Sequence, residues 1–64
     1  MALLSSGCTS GDTAAAQLLE TGRFEEKQNN REHAVKLYQE IVSKYPSTPA
    51  AREADERLKV LTPR

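Results

Sequence analysis

The chain has 64 residues, nine basic and nine acidic side chains that cancel, one cysteine and no tryptophan. A chain this short folds as at most one domain, buries only about 60% of its unfolded surface and therefore has a marginal core. Its basic residues are interleaved with Glu and Asp, which excludes a nucleic-acid footprint. A single cysteine excludes an internal disulfide, and Cys8 with His33 falls short of a zinc ligand set.

Residues 1–11 carry no charged side chain and end in Ser5-Ser6-Gly7-Cys8-Thr9-Ser10-Gly11. These small, turn-forming residues read as a flexible tether or the remnant of a signal, with the folded domain spanning 12–64. Asp12 or Thr13 offers an N-cap, and the run Ala-Ala-Ala-Gln-Leu-Leu-Glu after it has high helix propensity, so a first helix is predicted from here. Ala15, Leu18, Leu19 and Gly22 form its apolar edge, and Phe24 lies off that stripe, to fold over the end of the bundle. Asn29-Asn30 fits a tight turn, since Asn tolerates the left-handed conformation at a helix end and caps a following helix. Residues 31–46 hold the clearest pattern: Ala34, Leu37, Tyr38, Ile41 and Tyr45 fall on one stripe of a 3.6-residue helix, with Val35 and Val42 as a second apolar edge. Pro46 stops this helix. The first two helices then form an antiparallel hairpin. Thr48 before Pro49 predicts the cap and first position of a third helix. Ala51, Ala54, Leu58 and Leu61 share its apolar face, Glu53 and Arg57 form an i,i+4 pair, and Thr62-Pro63-Arg64 ends it.

No set of residues carries catalysis. His33 has no second histidine near it and reads as a surface side chain, Ser43 and Lys44 are adjacent and point to different faces, and the glycines form no phosphate loop. Glu25-Glu26, and Glu53 with Asp55-Glu56, read as solvated helix surface. Tyr38 is expected in the core. Tyr45 at the helix end divides between packing and contact, and with Leu58 and Leu61 it forms the candidate partner surface. The chain is expected to be no enzyme and to need no cofactor or metal.

Residues 15–46 resemble a tetratricopeptide repeat without a gap. Leu18 stands at the large first-helix position, Gly22 at the small one, Ala34 at the small second-helix position, Tyr38 at the aromatic one and Pro46 at the closing proline. Leu37 and Ile41 complete the second helix's packing stripe. Thr21 and Glu25 stand where the family has leucine and tyrosine. The stretch from Ala34 to Ala54 is similar to the repeats of periplasmic bacterial proteins such as the BamD-type outer-membrane assembly lipoproteins and the Tol-Pal-associated coordinator of envelope constriction. Leu3-Leu4-Ser5-Ser6-Gly7-Cys8 resembles the lipobox of bacterial lipoproteins, in which the cysteine thiol receives diacylglycerol. Here leucine lies four positions before Cys8, where three is usual, and seven residues are too few for a complete signal. Either the true start lies upstream of Met1, or the match is chance and Cys8 is an exposed free cysteine in a floppy N-terminus.

These resemblances imply an all-α fold, a tetratricopeptide-like hairpin plus a third capping helix. They imply a protein-interaction module whose partner is another protein or a second copy, with membrane contact only through a lipid on Cys8. The implied place is the periplasmic face of a bacterial envelope membrane, the outer one first, with the cytoplasm as the alternative. The rival role is a small structural subunit docked on a larger complex.

Overall fold

The computed structural model describes the backbone of residues 6–63 and the side chains of residues 11–63. It is all-α: α1 (Ser6–Lys27), α2 (Arg31–Lys44) and α3 (Pro49–Leu61) follow one another with short turns. α1 begins earlier than Asp12 or Thr13. Continuous helix supplies the N–H groups near Asp12 with carbonyls one turn back, so neither side chain is needed as a cap there.

Gly11 lies near Tyr45 and Gly22 lies against Tyr38, so α1 and α2 run antiparallel. Bonds from α1 to α3 join Arg23 to Glu53 and Glu26 to Arg57, so those two helices run parallel. α2 thus has a neighbour on each of its two apolar edges. Its Ala34, Tyr38 and Ile41 are buried, and Val42 and Tyr45 pack against the core from half-buried positions. Leu37, expected on the packing stripe, is only half-buried, as is Val35.

The turn between α1 and α2 follows from Asn29, which adopts φ 63°. Its N–H donates to the Glu26 carbonyl at 3.0 Å, and the Asn30 N–H to the Glu25 carbonyl at 2.8 Å. That pair of bonds is a Schellman ending, which satisfies carbonyls that α1 would otherwise leave unpaired. Asn30 does not cap α2 with its side chain. Its Nδ2 donates instead to Glu25 Oε1 at 2.9 Å, which ties the turn back onto α1.

The α2–α3 turn matches the sequence reading. α2 ends at Lys44, two residues before Pro46, and Thr48 caps α3: its Oγ1 accepts from the Ala51 N–H at 3.1 Å and donates to the Tyr45 carbonyl at 2.8 Å. On α3, Ala50, Ala51 and Ala54 are buried, while Leu58 and Leu61 pack half-buried against the core. Phe24 does not fold over the bundle: it is 57% exposed. On α1 it lies across the helix axis from the stripe of Ala15, Leu19 and Gly22, and no described element covers that side.

Candidate functional site

The apolar stripe of α1 continues beyond Gly22 in helical register to position 26, and the residue there is a glutamate. Periodicity therefore aims its carboxylate at the core face, where Tyr38 of α2 and Arg57 of α3 arrive. Tyr38 is buried except for the need of its hydroxyl to find a partner, and it donates to Glu26 Oε2 at 2.6 Å. Arg57 donates from Nε to Oε2 at 3.1 Å and from Nη2 to Oε1 at 2.5 Å. One carboxylate thus links three helices. Glu26 is not the solvated surface residue that its Glu25-Glu26 context suggests.

A second ion pair, Arg23 with Glu53, crosses from α1 to α3 one turn away. The i,i+4 pair expected within α3 does not form, because Arg57 turns to Glu26 and Glu53 turns to Arg23. The half-buried cross-helix carboxylate excludes more water than Glu53 does, and a two-pronged guanidinium bond outweighs a solvated same-helix pair.

The electrostatics follow from this arrangement. The Arg57 hydrogen bonds hold the Glu26 carboxyl below the usual range; burial opposes that shift, and the Tyr38 hydroxyl together with the charges of Arg57 and Arg23 reinforces it. Burial pushes the Tyr38 phenol upward, and its bond to the Glu26 carboxylate pushes it further in the same direction. The Arg57 guanidinium is held more firmly protonated by its bonds to Glu26. Every one of these groups is pinned in the charge state that favours the fold, and none is poised near neutrality for proton transfer.

Above the links lies a groove between α1 and α3. One part, of about 440 Å³, is lined by Arg23, Glu26, Lys27 and Arg57. The adjoining part, of about 550 Å³, shares Arg23 and Arg57 and adds Pro49, Arg52, Glu53, Glu56 and Val60. Val60 is 61% exposed there.

The sequence-predicted site residues fall elsewhere. Leu18, Gly22, Ala34, Tyr38 and Ile41 meet at the α1–α2 contact, where Gly22 closes on the Tyr38 ring: a β-carbon there would stand 2.6 Å from Tyr38 Cε1. Tyr45, Leu58 and Leu61 are half-buried and packed against the core, and Pro46 is exposed. His33 is exposed, with Nδ1 3.5 Å from Glu25 Oε2. Cys8 lies within α1, and its side chain is outside the described residues. Among the described residues no group of His, Cys, Asp or Glu is placed to hold a metal ion, and no helix is long and apolar enough to cross a membrane. Set against protein-family models, curated proteins and solved structures, the chain finds no match in any of the three.

Proposed function

We propose that this chain is a tetratricopeptide-like protein-interaction module, tethered by acylated Cys8 to the periplasmic face of a bacterial membrane, the outer membrane first. The observation that carries the interaction reading is the α1–α3 groove, where Val60, one of the two large apolar side chains exposed among the described residues, lies beside charged groups already committed to structural pairs. Exposed apolar side chains beside a concave polar surface suit recognition of another protein surface. The repeat reading is supported by a small residue, Gly22, closing on the aromatic Tyr38, and by Thr48-Pro49 restarting the chain as a new helix after Pro46. The lipid tether rests on the lipobox-like residues alone.

Two measurements test this. A photo-reactive amino acid at position 60, compared with one at the exposed position 43 on α2, should yield protein adducts of defined mass in bacteria from position 60 only; adducts at neither position would overturn the module. For the tether, expression from a gene that includes its upstream sequence should give a detergent-phase protein whose Cys8 peptide carries a diacylglyceryl mass, and Cys8→Ser should release it. An unmodified Cys8 peptide from that gene would remove the membrane from the proposal. The small alanine-rich core keeps the structural-subunit role as the second reading, and a chain that folds only on mixing with a large complex would favour it.

A further inference from the structure

The three helices are held by unlike contacts. Among the described buried residues, α1 and α2 supply Leu19, Tyr38 and Ile41, whereas α3 supplies only alanines, Ala50, Ala51 and Ala54. The leucines of α3, Leu58 and Leu61, are half-buried, and Val60 is exposed. Apolar stabilisation follows the area removed from water, so α3 docks with no large, fully buried side chain of its own.

What α3 adds is charge. Glu53 reaches Arg23 and Arg57 reaches Glu26, so that both pairs join α3 to α1. The two pairs are unequal. The Arg23 and Glu53 side chains are 57% and 42% exposed, and water and salt screen a pair in that setting. The Glu26 side chain is 17% exposed and accepts two bonds from Arg57, the geometry in which an ion pair is strong and specific. Glu26 is also held from a second direction, by the Tyr38 hydroxyl of α2. That bond lies wholly within the α1–α2 hairpin. Departure of α3 breaks the Arg57 and Glu53 pairs but leaves the Glu26–Tyr38 bond, and the carboxylate stays in place to receive Arg57 again.

The connection to α2 suits such a departure. Pro46 and Ser47 are exposed, and the Thr48 cap belongs to α3 through its bond from the Ala51 N–H. Only the Tyr45 carbonyl, which accepts from the Thr48 N–H and Oγ1, ties that cap back to the end of α2. A short exposed stretch between two intact helices is where a hinge absorbs its backbone rotation.

We propose that α3 is a releasable latch, which leaves the α1–α2 hairpin as a unit by turning at residues 46–48, with the Glu26–Arg57 pair as its lock. Release uncovers the side of α2 where Val42 borders α3, and it frees Arg23 near the carboxylate that Tyr38 still holds. The latch is a property of the fold and does not depend on which protein the module binds.

Native-state amide exchange of the full chain, followed by nuclear magnetic resonance in low concentrations of urea, tests it. The amides of Ala54, Arg57 and Leu58 should share one protection factor, at least about tenfold below those of Leu19 and Ile41. They should also respond less to urea, because opening α3 exposes less surface than unfolding the chain. Arg57→Gln should lower α3 protection by about a further tenfold. It should lower Leu19 and Ile41 by the same factor, since Arg57 stabilises only the latched state, and the two classes stay distinct. Arg57→Lys, which keeps the charge and loses the two-pronged bond, should fall between parent and Arg57→Gln, and it decides the matter if the glutamine variant does not fold. Equal protection and urea response in all three helices would mean that α3 opens only with the whole molecule. Protection that declines steadily from Ala54 to Leu61 would mean end fraying. Either result overturns the latch, and unchanged α3 protection in both Arg57 variants overturns the lock.

Discussion

A β-carbon on Gly22 would stand 2.6, 2.9 and 3.1 Å from Cε1, Cζ and Cδ1 of the buried Tyr38 ring. Helix propensity alone favours alanine over glycine by up to about 1 kcal/mol. Here the ring overrides it, because Tyr38 is fixed at its far end by the hydroxyl bond to Glu26 and cannot swing away without breaking that bond. Gly22→Ala should therefore destabilise by about 1 to 3 kcal/mol, and Gly22→Leu by more, as overpacking does; urea titration monitored by circular dichroism reads the difference. An alanine variant as stable as the parent would show that the ring has room to move. Glu26 gives a pH signature. A carboxyl whose folded pKa is lowered contributes stability that is fully present above its unfolded value and is lost as the pH falls through the folded one. Stability should be level near neutrality and decline below about pH 4.3, the ordinary glutamate value. Glu26→Gln should be less stable at pH 7 and show a flatter acid limb in urea titrations at successive pH values. An acid limb as steep as the parent's would place the titrating group elsewhere.

At the level of the elements, the two turns are held by different chemistry. α1 ends on Asn29 in the left-handed region, which costs an ordinary L-residue roughly 1 to 2 kcal/mol and glycine almost nothing. Asn29→Ala should lower the melting temperature while Asn29→Gly keeps it, and equal losses for both would point to the asparagine side chain instead of the backbone. α3 starts on Thr48, whose hydroxyl accepts from one turn and donates to the other. Thr48→Ala should cost about 1 kcal/mol, read as earlier thermal unfolding and faster amide exchange at Ala51. Leu58→Glu, in contrast, is a poor probe of partner binding, since Leu58 packs against the core and its loss should destabilise α3 as well.

For the whole molecule, α2 holds the two largest fully buried side chains among the described residues, Tyr38 and Ile41, and α1 meets α3 through Glu26–Arg57 and Arg23–Glu53. Removing one partner of the Glu26–Arg57 pair strands the other in a half-buried place, whereas replacing both with apolar residues can be neutral. Arg57→Leu and Glu26→Leu should each destabilise more than the double variant does. A thermal-denaturation cycle measures this, and additive losses would mean that the link contributes nothing of its own. Because the core is alanine-rich, the melting temperature should also rise with protein concentration if a second copy completes it.

Three helices, their breaks at Asn29 and Pro46, the Thr48 cap and the core positions Ala15, Leu19, Ala34, Tyr38, Ile41, Ala51 and Ala54 were legible in the residues alone. Those features are local or periodic: an asparagine that accepts positive φ, a hydroxyl before a proline, an apolar stripe every three or four residues. The candidate site was not legible in the same way. Glu26 and Arg57 are 31 residues apart in the chain, and each alone looks like one more charge on a helix surface. One signal was available, the register that carries the Ala15, Leu19 and Gly22 stripe on to position 26, but a carboxylate on that stripe has meaning only once Tyr38 and Arg57 come to meet it. Which arginine pairs with which glutamate, which apolar side chains remain outside as Phe24 and Val60 do, and that Gly22 closes on a ring depend on how three helices pack. Tertiary structure alone decided them, because side chains compete for partners across helices by distance and desolvation, and linear spacing carries neither.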